Sequence, residues 1–255
     1  MPNTNTLIAH RGGVVDQERS ENSFKALEEA IRRGYTHVEI DTRITADGHV
    51  ICFHNDELME EAGIDGRISA MTKDAVTQVV LTRSGERIPT FEEYCAHCAN
   101  RIGVMIDLKG CREEFIVSYS DEIQAALEKH GLLQDAMLLI NKTPRDNQAI
   151  IASRLKERAT VSWREPLLDT QEAIRRDPNF SSSHYVFNHG EDFTAENIAG
   201  YQALGLRVIA SINRQHYSVG EPLSLGTEHI RQLSDWGIDG FQIDSCYDPA
   251  FPLRA

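Results

Sequence analysis

Two carboxylates stand on one side of a single extended run in THVEIDTRITADGHVICFHND, residues 36–56. Val38, Ile40 and Ile44 favour strand, and side chains alternate along a strand, so Glu39 and Asp41 share one face while Val38 and Ile40 take the other. Asp47-Gly48 marks a turn, DGHVICFH continues as a second extended piece, and His54 stands at its end. Asp107 and Lys109 in GVMIDLKG again share a face, and His10 and Arg11 close the run LIAHR. Burying unpaired carboxylates is costly, and a hard cation removes that cost. Glu39, Asp41 and Asp107 offer only oxygen, which suits Mg²⁺ or Ca²⁺, with Mn²⁺ a further candidate, and does not suit a thiolate-type zinc site. The plainer use of Glu39 and Asp41 is a structural ion-pair network with Arg11 or Arg43.

The order of elements must bring these groups together. Short β-branched runs fall at 7–11, 37–44, 103–108, 136–141, 159–163, 184–188, 207–213 and 240–244. Helical patterns lie between them, at 23–34, 115–131, 195–205 and 227–237, and another opens at Pro89-Thr90. Eight strands alternating with helices predict a single (β/α)8 barrel, with a doubly wound open sheet as the alternative. No Pro/Ser-rich linker interrupts the chain, so residues 1–255 read as one domain. In such a barrel chemistry gathers where the strands end, and His10, Arg11, Glu39, Asp41, His54, Asp107 and Lys109 would all meet at that mouth.

Composition narrows the partners. A net charge of −13 disfavours nucleic acid and anionic membrane surfaces as main partners, while local bases and a bound cation would still admit a small anionic substrate. No apolar run is long enough to span a membrane, and MPNTNTLIAH lacks the form of a secretory signal, so a cytoplasmic location is expected. Five irregularly spaced cysteines argue against a disulfide framework, and CAHC at 95–98 has no second metal-ligand pair, so it reads as part of a helix.

The segments AHRGG, SENSFKALEEAIRRGYTHVEIDTRITADGHVICFHNDEL and MIDLKG together resemble the glycerophosphodiester phosphodiesterases, as do IPTFEEY and the ending GIDGFQID. The resemblance is dense over 7–110, thin to about 205, and resumes at the end. It implies a (β/α)8 barrel that hydrolyses a glycerophosphodiester to glycerol 3-phosphate and an alcohol with a divalent cation. It further implies Glu39, Asp41 and Asp107 as metal ligands and His10 and His54 as the acid/base pair. Arg11 and Lys109 would hold phosphate oxygens, and Glu21 and Asn22 would line or brace the site. Glu21-Asn22 also reads as a helix cap ahead of Phe24.

Three departures from the family pattern bear on chemistry. Asp107 replaces the usual Glu, as in the related sphingomyelin-cleaving phospholipases D, so an enzyme acting on lysolipids or sphingolipids is one alternative. Asn55 intervenes between His54 and Asp56 and disturbs the usual bracing of that histidine. Ala210 stands where the family commonly has Trp, which predicts an altered pocket wall and admits a related sugar (opine-type) phosphodiester. Residues 213–229, NRQHYSVGEPLSLGTEH, read as a long loop above the mouth, either plain surface or a lid carrying His216 and Tyr217.

Overall fold

The computed structural model describes residues 6–141, 147–156, 158–217 and 221–253. Among these, the strands are β1 (Thr6–Ala9), β2 (His37–Ile44), β3 (Val50–Cys52), β4 (Gly103–Leu108), β5 (Met137–Leu139), β6 (Thr160–Trp163), β7 (His184–His189), β8 (Val208–Ile212) and β9 (Gly240–Ile243). The longer helices are α1 (Phe24–Arg33), α2 (Phe91–Cys98), α3 (Ile116–Lys129), α4 (Gln148–Leu155), α5 (Leu167–Arg176), α6 (Ala195–Ala203) and α7 (Pro222–Asp235).

Eight strands are parallel in the order β1-β9-β8-β7-β6-β5-β4-β2, and β1 also pairs with β2, which closes the barrel. The (β/α)8 expectation therefore holds. β3 is not a barrel strand. It runs antiparallel to the end of β2, with Thr42 opposite Cys52 and Ile44 opposite Val50.

Alternation sorts the side chains into layers. On β4, Val104, Ile106 and Leu108 join the large core between barrel and helices, whereas Met105 joins Ile8, Met137, Leu139, Tyr185, Phe187 and Ile209 in the lumen. Residues 57–88 fold as an insertion with its own small core of Leu58, Ile68, Val76, Val79, Leu81 and Ile88, completed by Ile51 and Phe53.

Helix ends follow the sequence closely. Ser23 Oγ accepts from Ala26 N at the start of α1, and Gly34, at φ 91°, ends it. The cap is thus Ser23, one residue beyond Glu21-Asn22. Thr90 and Glu93 form a capping box that opens α2. Cys95 and Cys98 lie buried on α2, and burial raises both thiols, Cys98 to about 12.

Two expectations need correction. The segment expected to be a loop over 213–229 is largely helical: Arg214–His216 form a 3-10 turn, and α7 already begins at Pro222. Its Gly226 signals close packing, since a Cβ there would lie 2.4 Å from the Tyr247 ring. Residues 218–220 of that call lie outside the described residues. Ala210 does not face the pocket. On β8, Ile209 points into the lumen, whereas Ala210 is fully buried with Val208 and Ile212 in the layer under the helices.

Candidate active site

The mouth of the barrel is built from residues at or just past the strand ends. Strand β1 stops at Ala9, earlier than the sequence suggests, and His10–Gly12 form a tight 3-10 turn. Arg11 within it takes a left-handed conformation (φ 53°, ψ 48°), a geometry that non-glycine residues adopt only when their surroundings hold it. Its N–H donates to Glu39 Oε2 at 2.7 Å. The next residue must be glycine: a Cβ on Gly12 would lie 2.4 Å from the Asn22 Cα. That approach lets Asn22 N–H donate to the Arg11 carbonyl. Asn22 also has positive φ, and its side chain holds Asp41 twice, donating to Oδ2 at 2.9 Å and accepting from the Asp41 N–H at 3.1 Å.

Strands β2 and β4 align Asp41 with Asp107. Glu39, Asp41 and Asp107 each present an oxygen within 4.8 Å of the other two. Glu39 and Asp41 are buried. Lys109 Nζ bridges Asp41 Oδ1 at 2.7 Å and Asp107 Oδ2 at 2.5 Å. Lys109, rather than the Arg11 or Arg43 of a structural ion-pair network, thus supplies part of the positive charge this cluster needs. Burial opposes the Asp41 charge, but Lys109, His54 and Asn22 together hold this carboxyl below the usual range. Glu39 goes the opposite way. Burial and the neighbouring Asp41 and Asp107 charges push it well above its ordinary value. Negative charge at Glu39 is thus incompletely compensated, and an all-oxygen cluster of this size fits a hard divalent cation.

Each histidine has its Nδ1 engaged. His10 Nδ1 lies 2.7 Å from Asp244 Oδ1, and Asp244 Oδ2 accepts from the Arg214 N–H at 2.7 Å. On its other side, His10 Nε2 is 3.4 Å from Asn213 Nδ2. His54 Nδ1 is 2.8 Å from Asn55 Oδ1. Asp56 turns away to Arg67 and Ser69, so the inserted Asn55 takes over as the partner of His54. Burial, then Lys109 and Arg11, lower the His54 imidazole despite the nearby Asp41 charge. Arg11 Nη1 donates to Glu21 Oε2 at 2.6 Å, while Arg11 Nε is buried without a hydrogen-bond partner among the described residues.

All nine residues singled out from the sequence therefore converge here. Asp244 and Asn213 were missed, although both occupy the strand-end positions at which barrel enzymes place functional groups. A cleft of about 910 Å³ opens beside His10, Arg11, Glu21 and Asp244, bounded by Arg214 and by Glu60, Glu61 and Arg83 of the insertion.

The family model of the glycerophosphoryl diester phosphodiesterases matches residues 10–246. Human glycerophosphodiester phosphodiesterase 1 is 30% identical over 114 residues, covering 41% of this chain and 34% of that protein, so the chain aligns with about a third of this relative's length. The Bacillus subtilis protein YhdW is 22% identical over 249 residues, 93% of each chain. A Parabacteroides distasonis glycerophosphoryl diester phosphodiesterase has the same fold, with TM-score 0.73 and 19% identity, over 98% of this chain and 86% of that one. So does an Oleispira antarctica phosphodiesterase solved with its product sn-glycerol-3-phosphate, with TM-score 0.72 and 21% identity, over 96% and 94%.

Proposed function

Because the chain belongs to the glycerophosphoryl diester phosphodiesterase family, we propose that it hydrolyses a glycerophosphodiester to glycerol 3-phosphate and an alcohol with the help of a divalent cation. The observation that carries this reading is one cluster: three carboxylates with oxygens within 4.8 Å, beside two histidines that each have Nδ1 tied to a partner. The product named with the Oleispira antarctica structure supports it. We read residues 1–255 as one domain.

Glu39, Asp41 and Asp107 would hold Mg²⁺, Ca²⁺ or Mn²⁺, which when bound supplies positive charge to the phosphoryl oxygens and acidity to a hydroxyl. Arg11, whose Nε has no partner among the described residues, and Lys109 would meet the remaining phosphate oxygens. Asn22 fixes Asp41, and Glu21 fixes the Arg11 guanidinium, so both act by positioning. The neutral form favoured at His54 is the one that accepts a proton. His10 is backed by the Asp244 carboxylate, which holds Nδ1 and so orients the ring to deliver a proton from its other nitrogen to the leaving oxygen.

The cleft is lined by Val14, Val15 and Tyr217 as well as by Arg214, Glu60 and Arg83, and the charged groups on its rim support a water-soluble diester over a lysolipid or sphingolipid. No disulfide forms among the described residues, which fits a reducing compartment and supports a cytoplasmic enzyme. Among the described residues no helix is long and apolar enough to cross a membrane. The test is release of glycerol 3-phosphate from a panel of glycerophosphodiesters, in chelator and after Mg²⁺, Mn²⁺ or Ca²⁺ is restored. Absence of release under every condition would overturn the reading.

A further inference from the structure

The groups used so far lie at the ends of β9, β1, β2 and β4, joined by Asn213 and Arg214 just past β8. The ends of β6 and β7 and the turn after β8 carry Arg164, His189 and His216, which the proposed reaction leaves unassigned. Arg164 follows β6 directly, and its Cζ lies 4.8 Å from the centroid of Phe187, one of the lumen-filling rings. Its Nε donates to the Ile140 carbonyl at 3.1 Å. Those two contacts fix the plane of the guanidinium and leave its two terminal nitrogens for other partners.

No described carboxylate makes an ion pair with Arg164. Asp107 and Asp192 are near enough to favour its charge, but Asp107 is engaged with Lys109. Burial pulls this guanidinium below its ordinary value, yet arginine remains charged in proteins. A partly buried cation without a counter-ion is destabilising, and a planar guanidinium held in one orientation is suited to gripping a carboxylate or phosphate with two parallel hydrogen bonds. Beside it, His189 Nδ1 and His216 Nδ1 lie 3.2 Å apart with ring centroids at 3.8 Å, so one ring donates to the other.

We infer that this side of the mouth, centred on Arg164 with His189 and His216 beside it, binds an anionic oxyacid group on the alcohol half of the substrate. The inference rests on the phosphodiesterase reading and narrows it: preferred diesters carry a second negative charge on the alcohol, as a carboxylate or a phosphate monoester.

The test compares two synthetic diesters of glycerol 3-phosphate, one with a 2-carboxyethyl alcohol and one with an uncharged propyl alcohol. A third, with a phosphoethyl alcohol, separates carboxylate from phosphate recognition. The wild-type protein should give kcat/KM at least ~10-fold higher for the charged diesters. Arg164→Gln should remove that preference while leaving the propyl diester within about twofold, and Arg164→Lys should restore only part of it, because an ammonium lacks the bidentate fork. Calorimetric binding of the same diesters in chelator provides a readout that needs no turnover. If no diester is cleaved, the hydrolytic reading fails, and preferential binding of the charged diesters would still uphold the subsite. Equal handling of charged and uncharged diesters in both assays overturns it. So does an Arg164→Gln variant, or a folded Arg164→Lys variant if the first does not fold, that lowers all three diesters alike.

Discussion

Replacing Asp244 by asparagine should be more damaging than removing its side chain altogether. The Arg214 N–H donates to Oδ2 at 2.7 Å, so an asparagine would keep its amide oxygen there. Its NH₂ would then point at His10 Nδ1, 2.7 Å away, where the carboxylate now sits. A neutral ring would have to accept at Nδ1 and carry its proton on Nε2, and a doubly protonated ring would direct an N–H at an N–H. Asp244→Ala loses only a hydrogen bond to a charged group, about 1.5–3 kcal/mol, or roughly 10- to 150-fold. Asp244→Asn adds the wrong tautomer, and comparable triads then lose about 10⁴-fold. We expect ~10³–10⁴-fold for Asp244→Asn and no more than ~10² for Asp244→Ala. The assay is kcat/KM for glycerol 3-phosphate release under saturating divalent cation, with circular dichroism to verify folding. Activity of Asp244→Asn equal to or above that of Asp244→Ala would refute the assignment of Asp244 as the residue that orients His10.

Other perturbations bear on the remaining parts. His10→Ala and His54→Ala should each lower kcat by at least ~10²-fold with an unchanged melting temperature, and near-normal turnover in either would assign that ring to structure. Chelation should abolish activity, and adding Mg²⁺, Mn²⁺ or Ca²⁺ back should restore it and raise Tm by mass action; full activity in metal-free buffer would remove the carboxylate cluster from the mechanism. Lys109→Met removes the cation bridging Asp41 and Asp107, so stability in chelator should fall by about 3 kcal/mol and recover in part with added divalent cation, whereas equal melting with and without the ion would count against a shared site. Burial pulls His37 down to about 4. Between that value and its unfolded value near 6.5 the unfolded chain binds the extra proton, so the contribution is complete above about 6.5 and is lost as pH falls. Since solvent reaches part of the ring, we expect a loss of about 1 kcal/mol, some 2–4 °C in Tm, between pH 7 and 5, which His37→Gln should flatten.

Much of this architecture was legible because strands and helices carried their own punctuation. The end of α1 could be read from Gly34, although its cap is Ser23 rather than Glu21-Asn22, and β4 could be read from the alternation in GVMIDL. The acidic cluster was legible because a strand's two-residue period places Glu39 with Asp41 wherever the strand lies. What escaped depends on neighbours distant in sequence. Asp244 became visible only when β9 was laid beside β1, 234 residues away, which brings its carboxylate to His10. That Lys109 reaches back to Asp41 and Asp107 could not be read from sequence, because register alone decides it. Ala210 was misplaced although the signal was present: Asn213 at the mouth fixes the parity of β8, so Ser211 and Ile209 face inward and Ala210 cannot. The start of α7 was hidden by Gly226, which reads as a helix breaker until Tyr247 is seen filling the space where its side chain would be.

The short strand β3 belongs to two cores at once. Val50 and Cys52 pack into the main core, while Ile51 and the following Phe53 pack into that of the 57–88 insertion. The Phe53 N–H is hydrogen-bonded to the Asp41 carbonyl, and His54 comes next. With so small a core the insertion is a candidate unit of sub-global opening, and its amide hydrogens should exchange ahead of those of the barrel. Such an opening would loosen one face of β3 and release His54 while Glu39, Asp41 and His10 keep their places. The protein would then pass through a folded but proton-transfer-incompetent population whose size is set by the packing of Leu58, Ile68, Val76 and Leu81. Substitutions there, remote from phosphate, would therefore act on turnover as a tunable duty cycle, visible as parallel changes in hydrogen-exchange protection of residues 57–88 and in the active fraction.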